Sequence, residues 1–266
     1  MAGTVLLNID KGVATLTLNR PAALNALSLE MMEDLGEAVR RLAAAEGVEV
    51  VVLTGAGDHF MAGGDLRDFA RHLGLPAEER RAVFQRMIEL HINPSVHALQ
   101  ALPQPVIARV RGACAGFGLS LVLGCDMAIC ADTTVFTTAY AAIALSGDGG
   151  VSWLLSRTLG RRKAAELLLL GERFDAAEAL RLGLVNRVLA DDALDAGCAA
   201  LVARLQAGPR HAYAEIKRLL GSAGELPLGP QLQAEAEAFA RCAATADFAE
   251  GVSAFLDKRK AVFRGS

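Results

Sequence analysis

Aromatic residues are scarce in this chain. Only 5% of its 266 residues are Phe, Trp or Tyr, with a single Trp, although 53% are hydrophobic. The interior must therefore be built mainly from Ala, Leu and Val, which suits closely packed helices and buried strands. Neither sign of charge is in excess: 27 Lys and Arg against 30 Asp and Glu leave −3, with a pI near 6.0. That balance gives no electrostatic reason to expect nucleic acid or a membrane surface as a partner. Cysteines are few. Cys114, Cys125, Cys130, Cys198 and Cys242 are odd in number, form no Cys-x-x-Cys and mostly lie in apolar runs. They read as buried thiols of a reducing compartment. Long apolar runs are missing too, since LSLVLGCDMAICA is cut by Asp126 before it reaches spanning length. The start, MAGTVLLNID, has no basic segment followed by a sustained apolar one. A soluble cytoplasmic protein is expected.

Cofactor signatures are absent as well. There is no H-E-x-x-H spacing, so no metal site is expected. GAGDHF lacks the third glycine of a dinucleotide fingerprint, and no Lys-Ser/Thr follows either glycine loop to make a P-loop.

What is present is strand–loop–helix patterning. VLLNIDKGVATLTLNR alternates like two strands about a turn at Asp10–Gly12. Ser28 stands before LEMMEDLGEAVRRLAAAEG as an N-cap, with Gly47 at the far end, and the strand VEVVVLTG follows. Residues 66–101 read as mostly helical, with breaks at Gly74–Pro76 and Asn93–Pro94. Then come the strand PVIARVRG, the loop ACAGFG, the helix-like LSLVLGC and the strand DMAICA. Asp175 and Glu178 form a capping box before AAEALRLG, which leads into the strand-like LVNRVL. Beyond Asp191 the pattern is helical, with Pro209 at N1 and a second capping box at Asp247 and Glu250. The expected division is a ββα core over residues 1–190 and a helical region over 191–266.

The two glycine-containing loops, around Gly63 and Gly116, each open toward a helix. Backbone N–H groups there have no intrahelical partner and favour negative charge. Two such donors converging on one point would make an oxyanion hole. The plainer reading is that these glycines mark tight turns and close packing.

NRPAALNALS, FMAGGDLRDF, PVIARVRGACAGFGLSLVLGCDMAIC, FDAAEALRLGLVNRVL and EGVSAFLDKRKAVF resemble, in order and spacing, the crotonase (enoyl-CoA hydratase/isomerase) superfamily. The resemblance covers nearly the whole chain. It implies an α/β spiral of ββα units with a C-terminal helical region for oligomerisation, assembled as a homotrimer or a dimer of trimers. It also implies an acyl-CoA thioester as substrate, with no other cofactor, and a thioester oxygen held by the N–H groups of Gly64 and Phe117. Phe117 stands where the commonest pattern has glycine. A backbone amide serves from any non-proline residue, so the phenyl ring must find room elsewhere. The same resemblance places Ala23, Leu24, Ala62, Asp65 and Leu66 along the CoA site. Ala22 occupies a position where a basic residue is common. The cluster Lys258, Arg259 and Lys260 either reaches CoA phosphates, from a neighbouring subunit, or completes a helix C-terminus.

The register also bears on the reaction. The two positions where hydratases of this family carry glutamates hold Ser120 and Tyr140, neither of them a carboxylate. Both are expected to shape the acyl pocket. Asp148, in ALSGDGGVSW, matches an acidic residue of members that shift double bonds, and burial among Ala, Leu and Trp153 is expected to raise its pKa. Isomerisation of an enoyl-CoA through an enolate is the reading adopted, in fatty-acid or aromatic-acid breakdown. Hydration through an unrecognised carboxylate, or through a water held by Ser120, stays open. Glu79 and Glu89 lie in the variable segment, residues 67–100, that should supply much of the acyl wall. A dehalogenase would use Asp148 as nucleophile, Tyr140 as a wall, and a histidine base. His91 and His97 lie near its place, which holds Asn93. A serine hydrolase on Gly118-Leu-Ser120 would need His211 as base, and GLSLV lacks the final glycine of the elbow. A non-catalytic acyl-CoA binder completes the alternatives.

Overall fold

The computed structural model describes residues 3–265. Strands β1 (Val5–Asp10) and β2 (Val13–Leu18) form an antiparallel hairpin. Its turn residues, Lys11 and Gly12, both have positive φ, as a two-residue hairpin turn requires. Helix α1 (Leu29–Ala43) starts where the Ser28 hydroxyl accepts from the Met31 N–H at 3.2 Å. Its apolar stripe, Met31, Leu35, Val39 and Leu42, is fully buried. Strand β3 (Val50–Gly55) then lies parallel to β2.

Helix α2 (Leu66–Ala70) is short, and α3 (Ala77–Met87) runs into α4 (Asn93–Gln100) through one π turn over Ile88–Ile92. The break expected at Asn93–Pro94 is therefore not a break. Proline lacks an N–H and its ring crowds the preceding turn. The wider turn before it, closed by the Asn93 N–H on the Ile88 carbonyl, keeps the chain helical.

Strand β4 (Val106–Val110) leads to a short β5 (Ala113–Ala115), then α5 (Phe117–Gly124) and β6 (Met127–Ala131). After β7 (Val135–Thr137), α6 (Val151–Leu170) bends at Gly160. β8 (Phe174–Asp175), α7 (Ala176–Arg181) and β9 (Arg187–Leu189) follow. Asp175 caps α7 through the Glu178 N–H at 2.8 Å, but the Glu178 carboxylate turns to Arg181 and leaves the box half made. The chain ends in α8 (Leu194–Gln206), α9 (Arg210–Ser222), α10 (Leu228–Ala243) and α11 (Ala246–Leu256).

The main sheet runs β1-β2-β3-β4-β6-β9, parallel from β2 onward, and a second sheet runs β5-β7-β8. Its central strands are buried on both faces, as an all-parallel set with helices on each side must be. Val51, Leu53, Ala108 and Cys130 point into the larger core, where α1 and α5 pack. Val50, Val52, Ile107 and Ile129 point the other way, against Leu194, Cys198 and Leu201 of α8. The second face of the sheet is thus covered from beyond residue 190.

Two local expectations at the C-terminal end are corrected. Pro209 is the N-cap of α9, one residue before N1. The cap of α11 is Thr245, whose hydroxyl accepts from the Phe248 N–H at 3.1 Å. Asp247 is inside the helix and buried, accepting from the N–H groups of Arg264 at 2.7 Å and Gly265 at 2.8 Å. It ties down the chain end instead of starting a helix. Replacing Asp247 with Ala strands two backbone donors and is expected to cost about 2 kcal/mol. Urea unfolding should show that loss, and limited proteolysis should cut the tail of the variant sooner.

Candidate active site

The first glycine loop follows β3, and the second follows β5, which continues from β4 after two residues. β3 and β4 lie parallel, and the carboxyl ends of such strands are where open α/β sheets bind ligands. The first loop is clamped from two sides. Met61 pairs with β5 through N–H to the Ala113 carbonyl at 3.0 Å, and the Ala115 N–H returns to Met61 at 2.8 Å. On its other side, the N–H of Ala62 donates to Leu24 and that of Asp65 to Leu27, both at 3.0 Å. The Gly64 N–H between them has no partner among the described residues. The same is true of Phe117, first residue of α5.

The residues before these two donors touch. A Cβ on Gly116 would sit 3.3 Å from the Gly63 Cα. Gly116 also holds φ 52° and ψ −123°, a conformation open in practice only to glycine. Gly64 has a different reason for its missing side chain. A Cβ there would lie 2.6 Å from the Phe69 ring, which packs edge-on against Phe84. The Phe117 ring is buried under Gly149, whose added Cβ would be 2.7 Å from it. That is where the phenyl group goes.

The turn Gly147–Gly150 carries Asp148 to the same cavity, a space of about 820 Å³ lined also by Gly64, Phe117 and Tyr140. The Asp148 carbonyl accepts from the Val151 N–H at 3.1 Å and from the Ser120 hydroxyl at 3.0 Å, so the turn is pinned to both α5 and α6. Tyr140 donates its hydroxyl to Asp148 Oδ1 at 2.6 Å. Asp148 Oδ2 has no partner among the described residues. Burial raises the Asp148 carboxyl above its ordinary value, and the Tyr140 hydrogen bond only partly opposes that. Burial first, and the Asp148 charge second, push the Tyr140 phenol far up, so it stays a neutral donor. Trp153 contributes nothing here: it faces outward at 44% exposure, under the Arg157 guanidinium.

The chain matches the family described as Enoyl-CoA hydratase/isomerase over residues 8–266. It is 37% identical to the 1,2-epoxyphenylacetyl-CoA isomerase of Escherichia coli, covering 98% of both chains. It is 36% identical to "Probable enoyl-CoA hydratase" of Rhodobacter capsulatus, again over 98% of each. The crystal structure of an enoyl-CoA hydratase from Polaromonas sp. JS666 superposes with a TM-score of 0.91 at 35% identity, covering 98% of this chain and all of that one. The chain belongs to the enoyl-CoA hydratase/isomerase family.

Within that family frame the other expected site residues separate. Ala62 and Leu66 line the cavity. Ala23 ends a short 3-10 turn, and Leu24, at φ 52° and 44% exposed, stands beside Ala62 at the surface. Asp65 faces away from the cavity. Burial alone would raise its carboxyl, but the Arg20 guanidinium at 2.8 Å and the Arg67 N–H at 3.0 Å hold it below its ordinary value. It is the N-cap of α2 and a brace for Gly64. Ser120 is a correction as well. It is buried behind Tyr140 and Asp148 and is not on the cavity surface. The hydrolase reading fails with it, since His211 lines a different cleft, among α9 and α11. Neither His91 nor His97 lines the cavity, although Asn93 does, so the dehalogenase's histidine base has no counterpart there. Lys258 lies just past α11 and outside the cavity lining. Arg259 is engaged by Glu250 through two contacts, at 2.7 and 2.9 Å.

The Tyr140–Asp148 bond escaped the sequence reading. It has a direct consequence for pH dependence. The phenol stabilises the ionised carboxyl, so Tyr140→Phe raises the Asp148 pKa further. If Asp148 works as a base, the acid limb of kcat/KM moves to higher pH. The rate at neutral pH falls about tenfold, the scale of one hydrogen bond to a charged group.

Proposed function

We propose that the protein isomerises the double bond of an enoyl-CoA thioester. Asp148 takes a proton from the α carbon of a β,γ-enoyl thioester and the electron pair moves into the thioester oxygen. The N–H groups of Gly64 and Phe117 hold that enolate oxygen. Asp148 then returns the proton to the γ carbon, and the double bond shifts into conjugation. One C–H bond breaks, one forms, and no oxidation state changes, so the chemistry calls for no group beyond the CoA thioester. The observation that carries this reading is the Asp148 carboxyl, with one free oxygen on the cavity shared by two unpartnered amides. A carboxyl whose pKa is raised by burial is suited to hold a proton between two carbons.

A second reading, hydration of an α,β-enoyl thioester, is favoured by one observation. Glu89 lines the same cavity and supplies a second carboxylate. Mass separates the two. Products from β,γ-enoyl, α,β-enoyl and ring-type thioesters keep the substrate mass on isomerisation and gain one water on hydration. Isomerisation predicts unchanged mass with a shifted double bond as the dominant product, and a dominant gain of water from α,β-enoyl thioesters overturns it. Asp148→Asn also speaks to the non-catalytic alternative: a binder turns over no thioester in either form.

The proposed assembly is a homotrimer or a dimer of trimers through α9, α10 and α11. Leu220 on α9 at 71% exposure, Leu228 and Phe239 on α10 at 75% and 73%, and Phe255 on α11 at 83% leave large apolar side chains in solvent on all three helices. In such an assembly Lys258 would reach CoA phosphates of a neighbouring subunit. Breakdown of fatty or aromatic acids in the cytoplasm remains the proposed setting, and no helix among the described residues is long and apolar enough to cross a membrane.

A further inference from the structure

Ser120 is buried beside Asp148, and the proposed chemistry does not use it. A serine inside a helix often returns its hydroxyl to the carbonyl of the preceding turn. Ser120 instead sends it out of α5, to the Asp148 carbonyl at 3.0 Å, and its oxygen lies 3.1 Å from the Tyr140 hydroxyl. Tyr140 in turn reaches Asp148 Oδ1 at 2.6 Å. The Tyr140 ring is flanked on both edges: a Cβ on Gly116 would lie 4.0 Å from Cε1, and one on Gly147 3.8 Å from Cε2. With the ring held, the freedom left to Tyr140 is rotation of its O–H.

Three close oxygen contacts are thus served by the protons of two hydroxyls. With Asp148 ionised, the Tyr140 proton lies on Oδ1, because a charged acceptor outcompetes a neutral one. The Ser120 proton lies on the Asp148 carbonyl, a better acceptor than a phenol oxygen. The Ser120–Tyr140 contact then carries no proton. Protonation of Asp148 changes the balance. A neutral carboxyl is a weaker acceptor, and with its proton on Oδ1 it becomes a donor. The Tyr140 hydroxyl then turns to Ser120, and the 3.1 Å contact becomes a hydrogen bond. Oδ1–H donates to Tyr140, Tyr140 to Ser120, and Ser120 to the Asp148 carbonyl. Every member of that circuit is satisfied, which counts for most where water is excluded.

We propose that Ser120 is a positioning residue for Asp148: by accepting the Tyr140 hydroxyl it stabilises the neutral carboxyl, the form that carries a proton between two carbons. Its role in turnover rests on the isomerase reading; its effect on the Asp148 proton does not. Tyr140 has the opposite preference, since its bond to Oδ1 favours the ionised form. It is the one titratable side chain hydrogen-bonded to that carboxyl among the described residues. α5 contributes no charged side chain, and the first turn of α6 has no acidic one. Arg81 and Glu89 line the same cavity but are exposed, where solvent screens them.

Two measurements test this. Infrared titration of the substrate-free protein reads neutral Asp148 directly, as the carboxylic-acid band that Asp148→Asn removes. The profile of kcat/KM against pH reads the consequence for turnover. Ser120→Ala should move the Asp148 titration, and with it the acid limb of kcat/KM, to lower pH, opposite to the shift from Tyr140→Phe. The loss on the pH-independent plateau should stay within about tenfold, the scale of one ordinary hydrogen bond. Ser120→Cys keeps the packing volume but offers a weak acceptor. It should move the titration the same way, and it carries the test if the alanine variant is unstable. In a Tyr140→Phe background, Ser120→Ala should leave the titration where it is, because Ser120 acts through the phenol. A purely structural role predicts no such dependence on Tyr140. A titration that stays put or moves to higher pH in the single variants, or moves equally in the Tyr140→Phe background, overturns the proposal. The infrared titration involves no turnover, so it decides the matter even if the mass assay shows no isomerisation, and its failure leaves isomerisation standing.

Discussion

Asp148→Asn is expected to lower kcat by about 10³-fold, the range spanned by a positioned general acid–base group, with little change in KM. The split matters. Asn keeps an Oδ1 that accepts from Tyr140 as the carboxyl does at 2.6 Å, and it keeps the backbone contacts of the turn with Ser120 and Val151. What disappears is only the capacity to take a proton. A loss in kcat at constant KM is the signature of an interaction used on the way to the transition state. An equal rise in KM would instead mean that the side chain contributes to binding. Stopped assays with a β,γ-enoyl thioester, together with binding of a saturated thioester, distinguish these outcomes.

The same variant should be more stable than its parent. Burial raises the folded-state pKa of Asp148, so the folded protein holds this proton more tightly than the unfolded chain does. Below the unfolded pKa both states are protonated and the residue contributes no difference. As pH rises from there through the folded pKa, the unfolded chain ionises first and stability is lost; above the folded value the full penalty persists. Neutral Asn carries no such penalty. Its melting temperature should exceed the parent's near pH 7, and the gap should narrow as pH falls toward the ordinary carboxylate range.

Much of this fold is written in local chemistry. Ser28, the Lys11–Gly12 turn and Asp175 each act on residues within a few positions, and each appears where the sequence places it. The parallel strands are legible because burial on both faces leaves them almost wholly apolar. Contacts that join separate elements are another matter. No local signal turns Asp65 toward Arg20, 45 residues earlier, or Asp247 toward the chain end. Trp153 lies on the solvent side because helix phase, not the apolar composition around it, sets its direction. Val151 and Leu155 are the buried positions of that turn, and the residue midway between them points outward. The π turn at Ile88–Ile92, which carries the helix through Asn93–Pro94, likewise has no local signal beyond the proline that it accommodates.

The interlock between Phe117 and Gly149 leads to the second large effect. Gly149 has φ 57°, and a Cβ there would come within 2.7 and 2.8 Å of the Phe117 ring and 2.9 Å of the Ser120 Cβ. Gly149→Ala therefore adds a steric conflict to a left-handed backbone, and the two together are expected to cost about 2–4 kcal/mol of stability. Activity should fall about 100-fold, the scale of losing one oxyanion donor, because two parts of the site are displaced at once. The Phe117 ring moves its own backbone N–H, and the turn that yields moves Asp148. Phe117→Leu alone should be much milder, since it retains the amide and most of the apolar packing. Combined with Gly149→Ala, it removes the ring contact and leaves only the Ser120 contact and the backbone strain. The double variant should therefore be more active than Gly149→Ala, with a coupling of at least about 1 kcal/mol in a double-mutant cycle. Additive losses would mean that the ring and the glycine do not share one space, and that the amide of Phe117 is positioned by the start of α5 alone.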